Sequence, residues 1–171
     1  MKESWDERYR SGKYSSAEPH KLLIALTEKI KAGNALDIAC GAGRNAILLA
    51  EKGFDVTAVD NSKNGIEIAA QRAQEKGLKI DFRLADLEKD EFEIAENAYD
   101  LICDFYYLQR NLFPRLKKAL KPEGIFIAAI HIYGKEEKPH RFSLKTGELK
   151  EFFKDFEILH YHETAKTDKD T

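Results

Sequence analysis

The 171 residues contain only two cysteines, Cys40 and Cys103, and one tryptophan. Two cysteines imply no disulfide framework. Neither sign of charge dominates, with 28 Lys and Arg against 30 Asp and Glu for a net charge of −2. Without a basic excess, a nucleic-acid partner is not expected. The longest apolar runs fall far short of the roughly 20 residues that span a bilayer, so no membrane association is expected. Met1-Lys2-Glu3 leads into polar residues, so no secretory signal is read. These absences favour the cytoplasm. His160 and His162 are closely spaced but bring no third ligand, so no metal site is expected. Internal repeats and low-complexity linkers are also missing. What remains is a 43% hydrophobic chain, enough for one domain over residues 1–171 with a full core.

The informative stretch is residues 35–46, Ala-Leu-Asp-Ile-Ala-Cys-Gly-Ala-Gly-Arg-Asn-Ala. It reads as a buried strand, a glycine turn and the start of a helix that Gly53 ends. Gly41 and Gly43 let the backbone turn sharply and let a ligand sit against it. Such a unit turns bare N–H groups and the positive end of a helix dipole towards the ligand. Gly41-x-Gly43-x-x-Ala46 also satisfies the dinucleotide fingerprint, and Asp60 lies 19 residues after Gly41, where a ribose-binding acid belongs. Both signals indicate a nucleoside-containing cofactor and leave open which one. Asp37 discriminates between them. A carboxylate near the end of the first strand crowds a pyrophosphate but suits a cationic amine, such as that of S-adenosylmethionine.

Periodicity supplies the frame. Trp5 and Tyr9 share a helical face. Glu18-Pro19 opens a helix with Leu22, Leu23, Leu26 and Ile30 as its apolar stripe. Strands are expected at 35–38, at Asp55–Asp60, at 78–84 as a half-buried edge, and at 101–103, ending at Asp104. A further strand at 125–130 is expected to be buried on both faces, and a last one falls at 156–160. Ser62, Pro114 and Thr146 mark helix starts. The pattern is α/β: a doubly wound, Rossmann-like, mostly parallel sheet of about six strands.

Five motifs follow in order: Asp37-x-x-x-Gly41-x-Gly43, Val56-Thr57-Ala58-Val59-Asp60, Leu84-Ala85-Asp86-Leu87, Tyr99-Asp100-Leu101-Ile102, and Leu120-Lys121-Pro122-Glu123-Gly124-Ile125-Phe126-Ile127. Across roughly residues 1–163 the sequence resembles the class I S-adenosylmethionine-dependent methyltransferases. Trp5-Asp6-Glu7-Arg8-Tyr9 narrows the resemblance to the small-molecule branch that includes tellurite-resistance and thiopurine methyltransferases. The resemblance implies S-adenosylmethionine as cofactor, S-adenosylhomocysteine as product and a small-molecule methyl acceptor. It implies that residues 1–33 form a helical cap, with Tyr9 over the cofactor pocket. Asp37, Gly41 and Gly43 would hold the methionine part and Asp60 the ribose hydroxyls. Asp86 and Leu87 would hold adenine, with Asn61 bordering its ring. Asp104, Tyr106 and Tyr107, after the fourth strand, are candidates for contacting the acceptor. His131 is the foremost candidate base, with His140 next. The family's antiparallel seventh strand has no counterpart in the pattern. Residues 164–171 are expected to fray, and an uncovered sheet edge allows a monomer or a homodimer. Two other readings stand beside this one. The first is a non-catalytic S-adenosylmethionine-binding or assembly protein. The second is an NAD-type oxidoreductase, against which Asp37, Asp86 and the lack of a Tyr-x-x-x-Lys pair all argue.

Overall fold

Alternating apolar residues build one sheet in the computed structural model, which describes residues 3–133 and 141–164. Its strands are β1 (Asn34–Ile38), β2 (Asp55–Asp60), β3 (Asp81–Leu84), β4 (Tyr99–Phe105) and β5 (Leu120–Ala129). All neighbours are parallel, in the order β3-β2-β1-β4-β5. The doubly wound parallel architecture expected from the sequence is therefore present. Strand order reverses between β1 and β4, and ligands in open α/β sheets bind beyond the carboxyl ends of the strands at such a reversal.

The two-residue period of each strand sorts the core into two layers. Leu36, Ile38 and Ile102 pack with Phe113 and Leu116 of helix α5 (Phe113–Ala119). Ala35, Val56, Ala58, Leu101 and Cys103 pack with Leu23 of α2 (Lys21–Thr27) and with Ala46 and Leu49 of α3 (Arg44–Glu51). Each fully buried leucine, such as Leu49, stabilises the fold by about 2 kcal/mol over its exposed state. Helix α4 (Lys63–Glu75) starts where the sequence marks it: the Ser62 hydroxyl accepts from the Gly65 N–H at 3.0 Å. A short N-terminal helix, α1 (Trp5–Arg10), packs on α4 and carries a capping box, with Ser4 and Glu7 each satisfying the other's N–H. Helix α6 (Glu148–Phe152) completes the described set.

Several elements differ from expectation. No sixth strand forms at 156–160 among the described residues. Ile158 and Leu159 are exposed, and the alternation of Phe156 with Ile158 does not suffice without a paired neighbour. As a result β5 is the sheet edge. Its 125–129 stretch is half-buried except at Ile127, not buried on both faces. The 121–124 turn is an excursion inside β5, because Tyr99 pairs with Leu120 but Leu101 pairs with Ile125, with Glu123 at φ 64°. The second helix begins at Lys21 with His20 as its cap, not at Glu18-Pro19. Gly147, not Thr146, precedes α6. The third strand starts at Asp81 rather than 78, and β4 runs one residue past Asp104. His140 and the tail 165–171 lie outside the described residues.

Candidate cofactor and acceptor site

One open depression runs from the carboxyl ends of β1, β2 and β4 along β5, and Asp37, Ala39, Cys40, Asp60 and Asn61 line it. The turn after β1 runs through left-handed conformations at Ala39, Gly41 and Gly43, with φ of 52°, 55° and 77°. The two glycines are needed for different reasons. A Cβ on Gly43 would stand 2.6 Å from the Ala69 Cβ, so its bareness admits α4 rather than a ligand. A Cβ on Gly41 would stand 2.0 Å from the Tyr9 hydroxyl, so α1 closes over the turn there.

Asp37 is buried, 1% exposed, yet lines this cavity. Gly43, the residue before α3, has no side chain to cap that helix. Asp37 takes over, accepting from the backbone N–H of Ala46 in the first turn. Its Oδ2 has no partner. Burial, reinforced by the nearby charge of Asp60, pushes the Asp37 carboxyl up to about 7. An orphaned oxygen on a buried acid is a site awaiting a donor, preferably a cationic one.

Asp60 ends β2 and is also buried. Its Oδ2 accepts from Gly41 N–H and its Oδ1 from Ser62 N–H, each at 2.8 Å, so it locks the glycine turn to the start of α4. Burial raises its pKa against these bonds. Asp86 and Leu87 sit where the chain leaves β3. Asp86 Oδ1 accepts from Glu88 N–H at 3.0 Å, and Oδ2 pairs with Lys89 at 3.1 Å, so in this state the side chain caps a 3-10 turn. Both residues line the cavity.

Helix α1 forms the roof. Asp6 reaches across to the first turn of α4, with Oδ1 accepting from Asn64 N–H at 2.8 Å and from Ser62 Oγ at 2.9 Å, and Oδ2 accepting from Asn64 Nδ2 at 2.7 Å. The Asn64 N–H bond, more than any other contact, holds the Asp6 carboxyl below its ordinary range. Burial and the charge of Asp60 raise the Tyr9 phenol and keep it protonated. Arg72 of α4 anchors the segment behind the roof, donating to the carbonyls of Ser15 and Ala42.

On the acceptor side, Tyr106 and His131 face the cavity and stack, with ring centroids 4.9 Å apart. Tyr107 also lines it, its hydroxyl donating to Gln109 Oε1 at 2.6 Å. Asp104 does not line it. Strand alternation buries its carboxylate beneath the turn, where it accepts from Tyr107 N–H and leaves Oδ1 unpartnered. Cys40 and Cys103 are packed, and burial first of all holds both thiols protonated.

The structural roles of four residues at the site were not singled out from the sequence. His20 and Asp6 are single polar residues whose partners are distant in the chain, so no local pattern reveals them. Ser4-x-x-Glu7 is a readable capping box, and it would have fixed the start of α1.

A family model described as tellurite resistance protein TehB matches residues 3–171. The chain belongs to the TehB family. The probable S-adenosyl-L-methionine-dependent methyltransferase TehB of Haemophilus influenzae (strain Rd) is 31% identical over 177 residues, covering 95% of this chain and 61% of that protein. The ubiquinone biosynthesis O-methyltransferase of Rickettsia prowazekii is 31% identical over 141 residues, covering 75% of this chain and 54% of that one. The crystal structure of TehB from Haemophilus influenzae superposes with a TM-score of 0.78 at 27% identity, covering 93% of this chain and 58% of that chain. The chain thus spans about three-fifths of the length of these TehB relatives, and its sheet is the Rossmann-like one of this methyltransferase fold.

Proposed function

We propose that the chain is an S-adenosylmethionine-dependent methyltransferase that methylates a small-molecule acceptor by in-line displacement. The observation that carries this reading is the unpartnered Oδ2 of buried Asp37, lining a cavity beside a glycine turn. A carboxylate there suits the amine of the cofactor and repels a pyrophosphate, which argues against a dinucleotide. Membership of the TehB family supports the same choice.

In this reading Asp37 holds the amine, and the Gly41 turn lies against the methionine part. Asp60 keeps lone pairs for the ribose hydroxyls while its N–H partners fix its plane. Asn61 borders the adenine ring, and Asp86 turns from Lys89 to the adenine edge beside Leu87. Gly43 contributes by letting α4 approach. When bound, S-adenosylmethionine supplies a methyl group on an electrophilic sulfonium, so the protein's part is binding, alignment and exclusion of water. Alignment alone lowers such a barrier by roughly 7–11 kcal/mol. Tyr9 and α1 keep water from the glycine turn. No covalent protein nucleophile is required, in keeping with two protonated, buried thiols. Tyr106, Tyr107 and His131 border the acceptor, while buried Asp104 shapes the turn that carries the two tyrosines.

Residues 1–171 act as one domain. Two free buried cysteines fit the reducing cytoplasm. The outer edge of β5 has no strand beside it among the described residues, so a second copy would join there. Light scattering distinguishes the monomer from that homodimer. The deciding test of function is a pair of measurements. S-adenosylmethionine and S-adenosylhomocysteine should raise the Tm while NAD does not. Methyl-labelled cofactor should pass label to an acceptor in a panel of tellurite, selenite and thiols. Cofactor binding with no transfer to any acceptor in the panel would favour the non-catalytic reading. No Tm shift with either sulfur ligand would refute both.

A further inference from the structure

We propose that His20 and Tyr106 together form a built hydrogen-bond donor for the methyl acceptor, in which His20 is the positioning residue and Tyr106 makes the contact. The proposal rests on the methyltransferase reading only for the identity of the acceptor. The dyad itself stands on geometry.

Three contacts fix His20. Its backbone N–H donates to Asn45 Oδ1 at 2.9 Å, its ring centroid lies 4.5 Å from that of Phe105, and its Nδ1 caps α2 by accepting from Leu22 N–H at 3.2 Å. The last contact decides the tautomer. A nitrogen that accepts an N–H carries the lone pair, so Nε2 carries the proton. Nε2 lies 3.0 Å from the Tyr106 hydroxyl, so His20 donates and the phenol oxygen accepts. The phenol's own proton is then left to point elsewhere, and no acceptor for it occurs among the described residues.

Tyr106 is held for this purpose at an energetic cost. Its φ is 66°, a left-handed conformation unusual for a bulky residue. Its N–H donates to Ala129 O at 2.8 Å, and its ring stacks on His131. Strain at a fixed aromatic at the end of a central strand marks a position retained for its direction. Burial, then the charge of Arg44, lowers the His20 pKa and keeps the imidazole neutral. Both nitrogens of His20 are engaged, so it takes no proton from the acceptor. The chain Leu22 N–H, His20, Tyr106 O–H delivers a hydrogen bond outward, strengthened along its length. It therefore suits an acceptor whose contacted atom bears an available lone pair, and most strongly an anionic oxygen or sulfur, because a charged acceptor strengthens the bond.

Two substitutions separate the roles of the ring nitrogens. In His20→Asn the amide oxygen replaces Nδ1 and keeps the cap of α2, but nothing reaches Tyr106. In His20→Gln the amide nitrogen reaches towards Tyr106 and the cap is lost. The test is NMR of the full chain labelled at histidine nitrogen and tyrosine Cζ, with sodium formate and sodium hydrosulfide as oxygen and sulfur probes. The expected results are an Nε2–H tautomer for His20, a Tyr106 Cζ shift on adding one or both anions, and a probe affinity roughly three- to tenfold weaker in His20→Asn. His20→Gln should recover the Tyr106 response despite a lower Tm, which a purely structural role would not allow. Formate alone acting identifies an oxygen acceptor, and hydrosulfide alone a sulfur one. An Nδ1–H tautomer, an undiminished response in His20→Asn, or no response to either anion overturns the proposal. None of these readings needs S-adenosylhomocysteine. A failed Tm shift with that ligand would refute the cofactor assignment and leave the dyad's test in place.

Discussion

Replacing Asp37 by asparagine should make the ligand-free protein more stable while weakening its hold on the cofactor. The Asp37 carboxyl is pushed from 3.8 to about 7. Below pH 3.8 the folded and unfolded chains both hold its proton. Between 3.8 and 7 the folded chain keeps a proton the unfolded chain has lost, so this group's contribution to stability falls as pH rises. Above 7 the full cost of ionising the buried group is present. At about 1.4 kcal/mol per pH unit it amounts to about 4 kcal/mol. The asparagine variant avoids that cost, and its amide oxygen still accepts the Ala46 N–H. Its amide N–H groups inherit the orphaned position, which costs roughly 1–3 kcal/mol in a buried setting. The net gain at pH 8 is therefore about 1–3 kcal/mol, and near pH 4, where the native carboxyl keeps its proton and only the amide's cost remains, it should turn into a loss of roughly 1–3 kcal/mol. Urea unfolding of both proteins at the two pH values, without ligand, gives the difference. The S-adenosylhomocysteine affinity of the native protein should also fall about tenfold per pH unit below 7, because only ionised Asp37 holds the amine, while the variant's affinity stays flat. A variant no more stable at pH 8 than at pH 4, relative to the native chain, would refute the reasoning.

Three other outcomes follow. Gly43→Ala places a Cβ 2.6 Å from the Ala69 Cβ at φ 77° and should lower stability by about 3 kcal/mol or more through overpacking and backbone strain. Gly77→Ala, at φ 68° with nothing within 4 Å, should cost only the strain, roughly 1–2 kcal/mol, as urea midpoints of the two variants will show. Asp6→Ala removes the bonds to Ser62 and Asn64, so the emission of Trp5, the sole tryptophan, should shift to the red and S-adenosylhomocysteine should dissociate faster in stopped flow, with the far-UV spectrum of the sheet unchanged.

The sheet and the glycine turn were legible because their signals are local. Leu36 and Ile38 alternate around Asp37, and Ala39 to Gly43 can only turn. The same locality misled at residues 156–160, where Phe156 and Ile158 alternate but lack a neighbour to pair with. It misled again at Gly43, whose bareness serves Ala69 from another helix, information absent from the motif itself. Tyr106 was readable as a residue at a strand end, but its partner was not. His20 lies 86 positions earlier, and only the packing of α2 into the core layer that holds Phe105 brings the two together. Asp86 is a reminder that a position can be found while its state is not. The acid lies at the cavity, but in the free chain it caps a turn.

The most direct test of the account is calorimetry at pH 8 with S-adenosylhomocysteine and with its analogue lacking only the amine. The unpartnered Asp37 oxygen predicts that the native protein binds the parent ligand at least roughly thirtyfold more tightly, the lower bound for losing one member of a buried charge pair. The Asp37→Asn variant should scarcely distinguish the two. Equal affinity of the native protein for both ligands would contradict the assignment of Asp37 as the residue that holds the cofactor's amine.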